Sequence, residues 1–319
     1  MKRNLLIITV VVLLCDFSQA QHLPLFTQYR DQIGVINPGA FSHDYLLYDN
    51  PLSMGLSFRR QWVQLESAPI TQPLRGEYFY ESGGAVNPIF GGHIINDQTG
   101  PTGFSGIYGK AAALLSGDPF YGGLSVGFNF GLVQYRINAS EIQLRDLGDP
   151  VGDTDQSLLY PDVGLGIYAY RYIDDGFLDD SHVYAGLSVP QVFGLDLEFM
   201  SENGTFSTRR IQHYYALLGL YKYFGDLAYL EPSLWLKYVP GAPVNLDFNL
   251  RYQMNGSFWL GAGGSTAGTI HLETGLLLGE NYDLNNNFRI GYGFDYSFNT
   301  FGPAVGSTHE INLSYSIGR

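Results

Sequence analysis

The feature that most constrains this chain is the alternation of apolar side chains with small or polar ones, in steps of two residues. In 123–132, which reads GLSVGFNFGL, every second residue is Leu, Val or Phe, and the others are Gly, Ser or Asn. The stretches 245–252, 288–298 and 310–317 alternate in the same way. Successive side chains of a β-strand point to opposite faces, so this period predicts many strands that each have one apolar face.

The polar positions of these strands favour a membrane barrel over a soluble β-sandwich. They are filled mainly by Gly, Ser and Asn, whereas a solvated face would carry Lys, Glu and Thr. Aromatic residues lie near the segment ends, and the chain contains 24 Tyr, 21 Phe and 40 Gly. Aromatic girdles around an apolar band are typical of barrels, and a sheet in lipid must close because unpaired edge groups there are costly. The sequence therefore predicts an all-β fold, a transmembrane antiparallel β-barrel.

We count about 14 candidate strands, most of them close to the roughly 9–11 residues that a tilted spanning strand needs. They lie near 52–62, 73–82, 90–97, 104–113, 120–134, 161–170, 182–188, 212–223, 228–239, 243–252, 256–263, 267–279, 287–297 and 308–318. An even number of strands places both termini in the periplasm, and alternate connections should then be short. The two longest connections, 135–160 and 189–211, both fall on the outer side in this arrangement.

The beginning of the chain, 1–20, has the pattern of a cleaved signal peptide. Lys2 and Arg3 precede the apolar run LLIITVVVLLC, and small residues lead up to Ala20. The run is too short to cross a bilayer as a helix, which needs about 20 apolar residues. We expect cleavage after Ala20 and export to the outer membrane. Cys15, the single cysteine, lies in this peptide, so the mature chain would form no disulfides.

Residues 21–51 precede the first strand and lack its alternation. They are polar and contain Pro24, Pro38 and Pro51. We expect this N-terminal segment either to plug the lumen or to lie in the periplasm, with the barrel formed by 52–319.

Enzyme and metal-site motifs in the sequence lack the right structural context. GLSVG at 123–127 matches the G-x-S-x-G nucleophile pattern, but it lies inside an alternating strand and not at a strand–turn–helix elbow. The acidic run at 146–155 lacks the spacing of a Ca²⁺ loop. The formal net charge of −13 has the wrong sign for a duplex-binding surface. We therefore expect no catalytic residue, no metal, no cofactor and no nucleic-acid partner.

Charged residues at the inward-facing strand positions have both signs. Such a mixture predicts pairing across a filled lumen and not a strongly ion-selective channel. The residues are Arg59, Arg75, Glu77, Glu231, Lys237, Asp247, Arg251, Arg289, Asp295 and Glu310.

Several stretches resemble the PorP/SprF family of Bacteroidota outer-membrane proteins. The most specific is FRRQWVQLESAPITQ at 58–72, which resembles the family's Y-R-x-Q-W…A-P-x-T-Q segment, and FTQYRDQIGVINPGA at 26–40 resembles its Q-Y…N-P-A opening. Further similar stretches extend over most of the mature chain, at 91–112, 135–146, 162–170 and 184–193. Two departures from the family pattern are an intervening Gly39 and a C-terminal Ile-Gly-Arg.

The resemblance implies a role in the type IX secretion system. Members of the family accompany secreted cargo, often large adhesins used in gliding motility or attachment, and hold it at the cell surface. The resemblance further implies that the barrel receives the C-terminal sorting domain of the cargo. It also implies coupling to a periplasmic peptidoglycan-associated protein.

The segment 59–72 is our candidate partner-binding loop. Phasing from the preceding strand predicts Arg60 and Trp62 on the lipid side, where both can lie at the membrane interface, and Arg59 and Gln61 in the lumen. Residues 63–72 would then form the first outer loop, and 135–160 and 189–211 would be further partner surfaces. The candidate residues are Arg59, Arg60, Gln61, Trp62, Glu66, Pro69 and Gln72. Alternatively, these features only order the end of a strand.

Three functions remain open at this point. The first is a non-enzymatic secretion barrel that anchors cargo, and the resemblance favours it. The second is a porin or a transporter for small or apolar solutes, which predicts conductance and a lumen that 21–51 leaves open. The third is an outer-membrane hydrolase, which would need a Ser–His pair that replacement of Ser125 would expose.

Overall fold

The computed structural model describes residues 25–142, 151, 154–201, 204–225, 228–254, 257–279, 282, 284–299 and 302–318. The predicted signal peptide at 1–20 and most of the acidic run at 146–155 lie outside the described residues.

Fourteen strands close into one antiparallel barrel, in which the first strand pairs with the last. In chain order the strands are β1 Leu52–Arg60, β2 Ile70–Phe79, β3 Val86–Thr99, β4 Thr102–Asp118, β5 Gly122–Ile137, β6 Gln156–Ile173, β7 Ser181–Val189, β8 Asp196–Ser201, β9 Gly204–Arg209, β10 Tyr214–Tyr223, β11 Tyr229–Tyr238, β12 Asn245–Met254, β13 Phe258–Ser265, β14 Thr269–Leu278, β15 Asn286–Ser297 and β16 Thr308–Ile317. The pair β8 and β9 forms a separate two-stranded sheet, and all the others belong to the barrel. The predicted barrel is confirmed, and every predicted strand overlaps one barrel strand.

The apolar face of the barrel points outward. Along β5, Leu124, Val126 and Phe128 are 45–52% exposed, whereas Ser125 between them is fully buried. A soluble barrel would bury the apolar set, so this inversion indicates a wall that faces lipid. None of the helices in the described part of the chain is long and apolar enough to cross a membrane.

The two ends of the barrel differ in their connections. We call the end where β1 begins and β16 ends the terminus end, and the opposite end the loop end. The connections 61–69 and 190–213 lie at the loop end. The rim there has a step, because β6 pairs with β7 only from Leu165 onward and 156–164 continues beyond the end of β7.

Residues 25–51 lie inside the barrel, and we call them the lumenal segment. They contain a 3-10 turn at Tyr29–Gln32, a helical turn at Ile33–Ile36 and a helix at His43–Tyr48. The hydroxyl of Ser42 caps this last helix by accepting a hydrogen bond from the Asp44 N–H (3.3 Å). Shorter 3-10 turns lie at Ala139–Glu141, Gly176–Leu178 and Pro303–Val305.

Aromatic packing fixes the lumenal segment near the terminus end. The ring of Tyr45 stacks on Phe79 with centroids 3.8 Å apart and on Phe120 with centroids 4.9 Å apart. Phe41 contacts Tyr168 and Tyr170 edge-on. Buried aromatic pairs of this kind add to the burial of apolar area, so this end of the lumen is a packed core.

Candidate partner-binding site at the loop end

Buried ion pairs hold the centre of the lumenal segment. Asp31 lies between two guanidinium groups, 3.1 Å from Arg251 and 3.2 Å from Arg289. Arg30 pairs with Glu273 and lies 3.3 Å from Glu231. An unpaired charge is very costly inside a protein, so these ion pairs hold Arg30 and Asp31 in place against the barrel wall.

These pairs set the ionisation of the lumenal segment. Burial alone would raise the pKa of Asp31, but Arg251 and Arg289 bring it well below its usual range. Burial lowers the pKa of His43 well below 6.5, and Arg289 lowers it further. The Arg289 Nη1–H donates to His43 Nε2 at 2.6 Å, which suits a neutral imidazole. At neutral pH, Asp31 is therefore charged and His43 is neutral.

The upper part of the lumenal segment is fastened just below the loop end. The N–H groups of Thr27 and Gln28 donate to the Glu310 carboxylate at 2.8 and 3.2 Å. The Thr27 hydroxyl donates to Asp295 at 2.8 Å, and Arg59 pairs with the same carboxylate at 2.7 Å. Residues of β1, β15 and β16 thus converge on this point.

Above it lies a cavity of about 350 Å³, which we call the vestibule. Leu25 lies at its base, and a smaller cavity of about 60 Å³, lined by Leu25 and Phe26, continues beneath it. The walls come from the loop-end connections and from the adjoining strand ends, which contribute Gln61, Trp62, Pro69, His213, Pro243 and Asn299 among others. The vestibule is therefore a cup whose floor is formed by the lumenal segment.

The structure divides the seven candidate residues into three groups. Gln61, Trp62 and Pro69 line the vestibule. Arg59 is buried beneath it and is held by Asp295 and Glu310. The remaining three, Arg60, Glu66 and Gln72, are exposed outside the vestibule.

Two details of the predicted loop are wrong. Trp62 does not continue the outward phase of β1, because the strand ends at Arg60 and Trp62 has a positive φ of 55°, which turns its half-buried side chain into the vestibule. The loop is also shorter than 63–72. Strand β2 begins at Ile70, so Gln72 lies on the outer face of that strand, where its side chain accepts from Asn96 at 3.2 Å.

The loop is ordered by backbone hydrogen bonds. The Gln61 N–H donates to the Pro69 carbonyl at 2.8 Å and closes the loop at its base. The Val63 and Gln64 N–H groups donate to Ser307 (3.0 Å) and Val305 (3.1 Å) of the β15–β16 connection. The vestibule wall on this side is thus fixed on both β1 and β16.

The other two predicted partner surfaces contain more structure than the sequence indicated. In place of the loop 135–160, β5 extends to Ile137 and β6 begins at Gln156. The segment 189–211 contains the hairpin β8–β9, which the alternation did not reveal. Its Phe199 is buried near Tyr135, with ring centroids 6.2 Å apart.

Ser125 of the G-x-S-x-G match faces the lumen in the middle of β5. It is fully buried and lies two residues from Gly127, where an added Cβ would meet the Pro38 carbonyl oxygen at 2.3 Å. The last glycine of the match thus gives the lumenal segment room. Within the residues that the structure describes, no group of three or more His, Cys, Asp or Glu could hold a metal ion.

The comparison with solved structures shows the fold. The chain is similar to the CymD monoaromatic hydrocarbon channel, with 11% identity and a TM-score of 0.53, over 92% of this chain and 94% of that one. It also matches the β domain of the Bordetella autotransporter BrkA (13% identity, TM-score 0.42, 85% and 99% coverage). A Pseudomonas aeruginosa FadL homologue matches with 8% identity, a TM-score of 0.48 and coverages of 88% and 96%. No curated protein matches the sequence.

A family model identifies the chain more specifically. The model described as type IX secretion system membrane protein PorP/SprF matches residues 18–315, which is nearly the whole chain. The family predicted from the segments 26–40 and 58–72 is confirmed. The chain belongs to the PorP/SprF family of type IX secretion system membrane proteins.

Proposed function

We propose that this protein is a non-enzymatic barrel of the type IX secretion system that accompanies secreted cargo and anchors it at the cell surface. The cargo would be an adhesin or another protein with a C-terminal sorting domain. A periplasmic peptidoglycan-associated protein would be a second partner. The cargo would dock on the loop end, around the vestibule and the loop 61–69.

The observation that carries this proposal is the occupied lumen. Residues 25–51 are held along the barrel by the Asp31 and Arg30 ion pairs, by the aromatic contacts of Tyr45 and by Thr27. A barrel whose lumen is filled and whose loop end carries the vestibule is better suited to docking a partner protein than to passing solutes. This supports the anchoring function over the porin or transporter alternative.

The proposal includes an orientation. The signal peptide at 1–20 would direct export, and the two ends of the barrel itself, the start of β1 and the end of β16, would face the periplasm, as expected for an even-stranded barrel. Leu25, the first described residue, lies instead at the loop end, because the lumenal segment crosses the lumen before β1 begins. The loop end, with the vestibule, would then face the cell exterior, where the cargo is displayed.

Deletion of the gene and complementation test this function. We expect deletion to remove a specific set of surface proteins, as identified by mass spectrometry of surface fractions, while uptake of small solutes stays normal. Complementation with the vestibule variant Trp62→Ala/Pro69→Ala should restore the cargo poorly. The exposed pair Arg60→Ala/Gln72→Ala should restore it fully and serves as the matched control. Loss of solute uptake with an unchanged surface proteome would contradict anchoring and favour a porin.

A further inference from the structure

The outer wall of the barrel carries a connected polar patch near the loop end. Five polar side chains on four adjacent strands face outward there, and we call them the polar row. They are Gln72 of β2, Asn96 of β3, Ser105 of β4, and Gln134 and Arg136 of β5. The first four lie directly opposite one another in the strand register. We propose that the polar row binds the phosphate-bearing headgroup of a membrane glycolipid.

The polar row lies at the edge of the apolar band. In the same four strands, the next outward-facing residues toward the terminus end are apolar and 46–59% exposed. They are Leu74, Ile94, Ile107 and Leu132. The row therefore begins where the hydrocarbon-facing surface ends, which is the depth of lipid headgroups. A cation is tolerated at this depth but is costly at the middle of the bilayer.

Hydrogen bonds hold Arg136 against the wall. Its Nη2–H donates across β4 to the side-chain oxygen of Asn96 at 3.0 Å. The Ser105 hydroxyl donates to the same oxygen at 2.7 Å, and the Asn96 Nδ2–H donates to Gln72 at 3.2 Å. Asn96 thus orients the guanidinium group without supplying a negative charge to it. A headgroup meets a cation that is already in position, which lowers the entropic cost of binding.

The charges on this wall favour an anionic lipid. The outward-facing positions of β1 to β6, all within the described part of the chain, contain no Asp or Glu, although the whole chain has a net charge of −13. None of the ion pairs between described residues includes Arg136. One of its five side-chain N–H groups bonds Asn96, which leaves four for a ligand. The planar guanidinium binds phosphate through two parallel hydrogen bonds.

The remaining side chains of the polar row are suited to sugar hydroxyls. The row crosses four strands, or three strand spacings of about 14 Å in total, which is wider than one phosphate group. Gln72 and Gln134 are exposed, and their carboxamides can both donate and accept. A glycerophospholipid headgroup would cover only the part of the row at Arg136. The occupant is therefore a phosphorylated glycolipid. It lies in the outer leaflet if the loop end faces the exterior, and this placement rests on the proposed function.

The test uses purified full-length mature protein, freed of lipid in detergent and studied by native mass spectrometry. The probes are diphosphoryl lipid A, the same lipid without its two phosphates, phosphatidylglycerol, and inorganic phosphate as a competitor. The first two differ only in phosphate, the third is an anionic phospholipid, and the fourth is a free ion. The fraction of protein with bound lipid is measured over a concentration series and gives a Kd for each lipid.

We expect diphosphoryl lipid A to bind more tightly than the other two lipids. Arg136→Gln should weaken its binding about 10-fold or more, because charge-assisted hydrogen bonds are lost. Asn96→Asp should weaken it as well, because a carboxylate at this position neutralises the guanidinium and repels phosphate. Arg209→Gln makes the same change on the exposed β8–β9 hairpin, and this control should bind as the natural protein does. The heat-dependent gel shift confirms that each variant is folded.

Five results would overturn the proposal. They are no binding of diphosphoryl lipid A, equal or tighter binding of its phosphate-free form, equal or tighter binding of phosphatidylglycerol, displacement of the lipid by an equal concentration of inorganic phosphate, and unchanged binding by Arg136→Gln or Asn96→Asp. Because the assay contains no cargo, its failure leaves the anchoring function standing, and a failure of anchoring in cells leaves the lipid site standing.

Discussion

Glycines on the inner face of the barrel let the lumenal segment lie directly on the wall. Asn37, Pro38 and Gly39 pass over β5 and β6, where Gly127 and Gly166 present bare backbone. A Cβ on Gly166 would lie 2.0 Å from Asn37 Oδ1, far inside van der Waals contact. The Asn37 Nδ2–H also donates to the Ile167 carbonyl at 3.0 Å, so this contact is specific as well as close.

Gly166→Ala should therefore destabilise the protein. The added methyl group must push Asn37 away from the wall, and overpacking of this kind costs about 1–3 kcal/mol. Gly109→Ala is the matched control, because Gly109 also lies in a barrel strand and a Cβ there meets nothing within 4 Å. Urea unfolding in detergent micelles measures both variants. Equal stability of the two would show that the segment does not press on the wall at Gly166.

His43 should make the protein sensitive to mild acid. Its pKa in the folded state lies well below 6.5, because of burial and then of Arg289, so the folded state binds fewer protons than the unfolded state. The contribution of neutral His43 to the free energy of unfolding is then fully present above pH 6.5. It falls as the pH decreases below 6.5, by at most about 1.4 kcal/mol per pH unit. Asp31, whose pKa is also lowered, adds a loss only below its usual value of 3.8.

His43→Gln should remove the part of this acid sensitivity between pH 6.5 and 4.5, because glutamine can still accept from Arg289 but does not titrate. Unfolding midpoints in urea at several pH values in this range measure the effect. Every other titratable group is the same in both proteins, so the difference between the two profiles isolates His43. Identical profiles would show that His43 does not couple protonation to folding.

The predictions for single residues were right where the two-residue period of a strand determines the direction in which a side chain points. Arg59, Asp247 and Glu310 all face inward as the alternation required. Their partners could not be predicted, because Arg30 and Asp31 lie in a segment with no period that would place them. The sequence also predicted the wrong position for Trp62. Its positive φ interrupts the two-residue period of β1, and the prediction had continued that period through Trp62.

At the scale of elements, the spanning strands were predictable because lipid and lumen impose opposite polarity on alternate residues. The hairpin β8–β9 lies outside that rule. Its apolar residues Leu197 and Phe199 pack onto other loop-end residues and not onto lipid, and the hairpin is too short for its period to stand out. The extension of β6 beyond the end of β7 could not be predicted either, because strand length in a barrel depends on pairing between distant segments.

Phe199→Ala should release the β8–β9 hairpin without unfolding the barrel. The side chain is 2% exposed and stacks on Phe206 with centroids 5.1 Å apart, so its loss removes the hairpin's main aromatic contact and leaves Leu197 as its buried apolar anchor. Limited proteolysis should cut the variant faster within 190–213, while the heat-dependent gel shift of the barrel stays the same. Met200→Ala changes the neighbouring residue, which is 81% exposed, and should be cut at the natural rate. Cleavage of both variants at one rate would mean that Phe199 does not anchor the hairpin.

At the scale of the whole molecule, barrel and lumenal segment form one folded unit. The wall supplies Arg251, Arg289 and Glu273, and the segment supplies the opposite charges of Asp31 and Arg30. Without the segment, Arg251 and Arg289 would lose Asp31, and without the wall Arg30 would lose Glu273, so the same buried ion pairs hold both parts together. We therefore expect the lumen to stay closed under ordinary conditions, and removal of the ion pairs tests this expectation.

Arg30→Ala/Asp31→Ala should open the barrel to ions. The double variant removes one charge of each sign, leaves Glu273 and Arg251 without these partners, and loses the fastening at the centre of the segment. In planar lipid bilayers the natural protein should show no steady conductance, whereas the variant should show fluctuating openings. Arg209→Ala, which breaks an ion pair with Asp196 whose side chains are 69% and 65% exposed, should stay closed, because exposed pairs contribute little. A steady conductance of the natural protein would contradict a closed lumen and would return the porin to consideration. A silent double variant would show instead that the aromatic contacts of Tyr45 and the hydrogen bonds of Thr27 suffice to keep the segment in place.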